Sequence, residues 1–202
     1  MVDFFIQGGG FMWPILIALL FGLAIIGERA YSLINSSSDT NQFFEEVKTI
    51  YSDSGKEQAI EFCENRPGPV ASIFYAGLSK MDKTKEEIEK AVQNAGGLEM
   101  AFLEKNMIWI NSVITIAPML GFTGTVVGMI KAFEDIKMAN DISPAVVAGG
   151  ISQALLTTAF GLIVAMIMQV AQNFFVSMID KLILDMEEQS IKIVEYLHSS
   201  KK

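Results

Sequence analysis

Residues 150–165 read GISQALLTTAFGLIVA. The run has no charged residue and is apolar enough to lie in hydrocarbon, yet it carries Ser152, Gln153, Thr157 and Thr158. A hydrogen-bonding side chain without a partner is costly in lipid, so these groups must face protein or water. How a membrane helix comes to hold them decides both the fold and the function.

Working outward, the uncharged stretch extends over 142–179, and two more occupy 4–27 and 107–130. A helix needs about 20 apolar residues to cross a hydrocarbon core about 30 Å thick. Each stretch is long enough. The third is much longer than needed, so its far end should leave the bilayer as a helix. With 51% hydrophobic and 19% charged residues among 202, the expected fold is an all-α integral membrane protein with three transmembrane helices. The first stretch reads as a retained anchor rather than a cleaved leader. MVDFFIQGGG has no basic residue, and Glu28-Arg29 follows without a cleavage pattern.

Basic residues set the expected orientation. The N-terminal tail has none, the stretch from Arg29 to Lys105 has nine, and the C-terminal tail has four. Lys and Arg favour the cytoplasmic side. The expected layout is an outer tail (1–10), span one (11–33), a cytoplasmic helical segment (34–106), span two (107–136), an outer loop (137–143), span three with its extension (144–180) and a cytoplasmic tail (181–202). Trp13 and Trp109 fall near the entries of spans one and two, where aromatic belts form.

Between the first two spans, helical patterning is expected over 42–51, 56–65 and 70–81, separated by turn residues such as Arg66-Pro67-Gly68-Pro69. A fourth helix, over 84–105, should be capped near 82–84 and run unbroken into span two. Helices two and three would then both extend into the cytoplasmic helical domain.

Little here suggests chemistry. The net charge of −8 argues against nucleic acid. The single Cys63 reads as a reduced thiol, and the single His198 lies in the tail. Gly8–Gly10 has no phosphate-loop signature. No enzyme activity, metal or cofactor is expected.

The polar residues fall on faces. At 100° per residue, Ala154, Thr158, Gly161, Ala165, Gln169 and Gln172 share one side of helix three, with Gln153 and Thr157 on an adjoining strip. On helix two, Asn111, Pro118, Gly121, Thr125, Gly128 and Ala132 cluster likewise, and Gly124 and Gly128 form a small-xxx-small pair. Two explanations stay open: hydroxyls and small residues as glue between helices, or the lining of a conduit. Two polar stripes per chain suit a ring of subunits. An ionisable group for such a conduit would have to come from a partner.

The quoted stretch, together with MWPILIALLFGLAIIGERAYSL (12–33) and TIAPMLGFTGTVVGMIKAF (115–133), resembles the MotA/TolQ/ExbB proton-channel family, closest to ExbB. The resemblance implies a pentamer in the bacterial inner membrane, N-terminus periplasmic and C-terminus cytoplasmic. It would surround an ExbD-like one-span partner that supplies a membrane aspartate. Proton flow would energise a TonB-like protein for outer-membrane transport. A TolQ-like duty in envelope constriction is the alternative, with a non-conducting scaffold or a transporter subunit behind it. By motif, Thr125 and Thr158 match threonines regarded as lining the proton pathway, with Thr157 and Gln153 beside them. Gly150, Ala154, Gly161 and Ala165 on helix three, and Pro118, Gly121, Gly124 and Gly128 on helix two, are the expected packing positions. Many relatives carry glutamate where this chain has Gln153, which cannot titrate.

Overall fold

Each long apolar stretch forms a helix because a helix satisfies its own backbone groups, which lipid cannot do. The computed structural model describes residues 2–36, 39–139 and 144–199, and no strand occurs among them. The elements are α1 (Val2–Gln7), α2 (Met12–Ser36), α3 (Thr40–Ser54), α4 (Lys56–Glu64), α5 (Pro69–Ser79), α6 (Lys85–Leu103), α7 (Met107–Ala139) and α8 (Pro144–Ser199). Three helical stretches are long and apolar enough to cross a membrane, and they lie in α2, in the α6–α7 stretch and in α8. Only 17%, 28% and 28% of their most apolar windows are buried within the chain, so lipid or other protein must cover the rest. Of the loop expected over 137–143, α7 takes up 137–139, and 140–143 lie outside the described residues.

The chain divides into two units: Met1–Glu28 with Asn106–Phe174, and Arg29–Lys105 with Phe175–Lys202. In the first, α2, α7 and α8 pack through small residues and thin side chains. A Cβ placed on Gly22 would fall 2.5 Å from Met168 Sδ, so that glycine lets the buried Met168 approach the α2 backbone. Phe21 and Trp109 meet edge to face at 6.2 Å.

In the second unit, local signals match local structure. Asp39 caps α3 by accepting from the Gln42 N–H at 3.1 Å. Gly55 and Gly68 take φ of +90° and +125°, which a side chain would oppose, and Pro69 starts α5 at once. Thr84 and Glu87 close a capping box on α6, and Lys56 pairs with Asp82. The core is aromatic at one end: Phe43 stacks on Phe62 at 5.7 Å, and Phe44 and Tyr51 each meet Tyr196 of α8 edge to face. Beside it, Gly77 leaves room for Val92, Ile193 and Leu197.

One expectation is corrected. The helix before span two does not run on unbroken: α6 ends at Leu103 and α7 starts at Met107. Asn106 sits between them at φ +65°, a left-handed conformation that Asn tolerates better than most residues. The buried Arg29 points a guanidinium nitrogen at the Phe102 and Leu103 carbonyls, at 3.4 and 3.5 Å. These are end-of-helix acceptors that would otherwise need partners. By contrast, α8 runs without a break for 56 residues.

Candidate functional site

The α7–α8 contact is antiparallel and built on absent side chains. A Cβ on Gly161 would lie 2.5 Å from the Ala117 carbonyl oxygen. One on Gly121 would lie 2.8 Å from the Thr157 carbonyl oxygen, and one on Gly128 would lie 3.3 Å from Ala154 Cβ. Further along, Gly150 packs against Ala132. The partners run in opposite directions: as the contacts pass from residue 117 to 132 along α7, they pass from 161 to 150 along α8. Backbones this close need small residues at every contact. Pro118, half-buried, sits within α7 among them.

Close approach brings three hydroxyls to one carbonyl. The Gly121 oxygen lies 3.2 Å from Thr125 Oγ1, 3.3 Å from Thr157 Oγ1 and 3.2 Å from Thr158 Oγ1. The Ala154 oxygen accepts from Thr157 at 2.8 Å and from Thr125 at 3.1 Å. Thr125 and Thr158 also hydrogen-bond to each other. Each carbonyl already serves the N–H four residues on in its helix. Two oxygens with one spare lone pair each cannot take every hydroxyl proton separately. The hydroxyls must share, and the Thr125–Thr158 bond can run in either direction. Oriented hydroxyls in a charge-free setting can solvate a proton or a carboxylate but cannot hold charge themselves.

The sequence-expected residues do not all play one part here. Thr125 and Thr158 are half-buried and paired. Thr157 is 1% exposed, between α8 and α7, with its hydroxyl 2.6 Å from where a Gly124 Cβ would be. Ala154 and Gly161 are buried at the contact, and Ala165 is half-buried. Gln169 and Gln172 do not join the cluster: Gln169 donates to Asn173 at 2.9 Å, and Gln172 keeps a buried, unpartnered Oε1. Gln153 packs its amide against Gly9. Leu155, Leu162 and Met166 are exposed on the opposite side.

Two participants were missed. The Gly121 carbonyl is a backbone acceptor, invisible to any reading of side chains. The other is the turn Gly8–Phe11, whose three consecutive glycines were a signal of unusual backbone. Gly9 takes φ +74°, and Phe11 Cβ lies 3.1 Å from the Gly124 Cβ position. Among the described residues, no three His, Cys, Asp or Glu side chains come together as a group that could hold a metal.

The model of the MotA/TolQ/ExbB proton channel family matches residues 65–188, which include α7 and most of α8. The chain is 28% identical over 188 residues to the putative biopolymer transport protein ExbB-like 3 of Synechocystis, covering 92% of this chain and 90% of that one. It is 28% identical over 180 residues to a putative biopolymer transport protein ExbB homolog of Methanothermobacter thermautotrophicus, covering 89% of this chain but only 64% of the relative. It is 28% identical over 164 residues to the Tol-Pal system protein TolQ of Haemophilus influenzae, covering 74% and 71%. With charge-free membrane helices joined at a threonine cluster, and a family match over more than half its length, this chain belongs to the MotA/TolQ/ExbB proton channel family.

Proposed function

We propose that this chain is the ring-forming subunit of an ExbB-like proton-driven motor. An ExbD-like one-span partner would place a membrane aspartate against the Thr125–Thr158 pair. Proton passage through the pair would drive work on a TonB-like protein serving outer-membrane transport. The observation that carries this is the shared Gly121 carbonyl: three hydroxyls gather on it, in helices whose membrane stretches hold no Asp, Glu, Lys or Arg. Such a site can stabilise a proton carrier that enters from elsewhere, and it has none of its own. The exposed apolar surface of α2, α7 and α8 supports assembly with lipid and further copies, a pentamer by the family resemblance. The distribution of Lys and Arg favours a periplasmic N-terminus and a cytoplasmic second unit, in a bacterial inner membrane.

Moving one charge through 100 mV releases about 2.3 kcal/mol, and only a group that binds and releases protons inside the field can capture it. The test is proton flux in vesicles under an imposed potential, followed with an internal pH dye. The chain alone should conduct poorly, and adding the partner should raise flux. Strong flux from the chain alone, or full coupling with the partner aspartate changed to asparagine, would refute the proposal. A TolQ-like duty is the second reading, favoured by the relative named TolQ. It predicts that loss of the gene disturbs envelope constriction and leaves transporter-driven uptake intact.

A further inference from the structure

We infer that Gln153 is a positioning residue that seats the Gly8–Phe11 turn against the threonine cluster, closing the side of the cluster which that turn covers. The inference rests on the reading of the cluster as a proton site. Three contacts carry it. Gly9 has φ +74°, and a Cβ there would collide with the Gln153 amide nitrogen and lie 3.0 Å from Cδ. The Gln153 side chain therefore fills the space that Gly9 leaves empty. At the far end of the turn, Phe11 Cβ lies 3.1 Å from the Gly124 Cβ position, which is itself 2.6 Å from Thr157 Oγ1. Turn and hydroxyl thus press on the same bare patch of α7 backbone. Between them, the buried Gly8 leaves room for Met12, 1% exposed, whose Cγ and Sδ lie 2.5 and 2.6 Å from the Gly8 Cβ position.

Gln153 and Thr157 are four residues apart on α8, one above the other on a helical face. One side chain holds the turn and the next belongs to the cluster that the turn covers. The turn's backbone hydrogen bonds are local: Gly8 to Phe4, Gly9 to Ile6, Met12 to Gly9 and Trp13 to Gly10, at 3.0 to 3.3 Å. They shape the turn without fastening it to α8, so its seat depends on side-chain packing. An amide suits the place, because it stays neutral at any pH while protons move nearby.

The test uses the whole chain in lipid nanodiscs for hydrogen exchange and in vesicles for flux, with Gln153→Ala, Gln153→Met, Gly9→Ala and the Gly9→Ala/Gln153→Ala double variant. Gln153→Ala should speed exchange over residues 8–13 by about tenfold or more, as expected for local opening. Gln153→Met keeps the length and should restore exchange to within about twofold. Gly9→Ala should also speed exchange, but add much less when Gln153 is already Ala, because residues in contact are not additive. Unchanged exchange in Gln153→Ala, or independent effects of the two substitutions, would overturn the inference. Proton leak should rise together with exchange in Gln153→Ala. Faster exchange without added leak would leave the seat standing and count against the cluster as a proton site.

Discussion

Thr125 and Thr158 hydrogen-bond to each other across the α7–α8 contact, and each also lies 3.2 Å from the Gly121 carbonyl oxygen. Either hydroxyl can donate to the carbonyl while accepting from the other. Reversing the pair needs only rotation about two C–O bonds, with no movement of the helices. The cluster is therefore both a helix joint and a polar spot that can turn toward a charge on either side. Glue and conduit lining, which patterning alone left as alternatives, are compatible at these residues.

Thr158→Val should separate the two roles. Valine keeps the shape and loses the hydroxyl, while Gly121 retains Thr125 and Thr157 as neighbours. Stability should fall by only about 1 kcal/mol, the usual net worth of one hydrogen bond. Partner-dependent proton flux should fall by about tenfold or more, as expected when one hydrogen bond to a charged carrier, worth about 1.5–3 kcal/mol, is lost. Thr125→Val should act in the same direction and more weakly. Flux assays beside oligomer mass in detergent check both parts, and wild-type flux from Thr158→Val would remove it from the pathway.

Gly161→Ala and Gly97→Ala should have opposite signs. A methyl on Gly161 meets the Ala117 carbonyl at 2.5 Å, and a backbone cannot rotate aside as a side chain can. The cost should reach the upper part of the roughly 1–3 kcal/mol found for overpacking. Gly97 lies within α6 with nothing within 4 Å of its Cβ position. Alanine there should stabilise by about 0.5–1 kcal/mol through helix propensity. Thermal unfolding of the two variants decides it.

The α6 cap predicts an acid-sensitive element. Hydrogen bonds from the Thr84 backbone and side chain hold the Glu87 carboxyl below its ordinary value of 4.5. A depressed folded-state pKa contributes stability above the unfolded value, and that contribution is lost as pH falls through the folded one. Thr84→Ala should cost about 1 kcal/mol near neutrality, and its cost should shrink as pH falls below 4.5 and the carboxylate becomes protonated in both chains. Exchange at the start of α6, measured against pH, tests this. An effect of Thr84→Ala that stays constant with pH would refute it.

Cys63 should be inert. Burial pushes its thiol from 9.0 up to about 12, so the reactive thiolate is scarce at neutral pH. The folded chain holds this proton more tightly than the unfolded chain. Its contribution to stability is therefore full below pH 9 and is lost progressively as pH rises toward 12. A maleimide should label the unfolded chain rapidly at pH 8 and the folded chain far more slowly. Equal labelling rates would contradict the buried placement.

Patterning determined much of this protein on its own. Three uncharged stretches are long enough to cross a bilayer, and in lipid only a helix satisfies their backbone. Period-3.6 spacing placed the small and polar residues of α7 and α8 on single faces, and the 82–84 region marked the start of α6. These are local properties, written in residue type and spacing. What only the tertiary structure decided depends on backbone atoms and on residues far apart in the chain. Thr157 turned inward because Gly124 leaves a gap opposite it. A carbonyl became the centre of the cluster, and no residue type records a carbonyl. Gln153 found its neighbour at Gly9 and not among the threonines, and Arg29 met the α6 end some 74 residues later. Spacing along one helix fixes direction to within a face, but which backbone approaches that face is a property of the packed helices together.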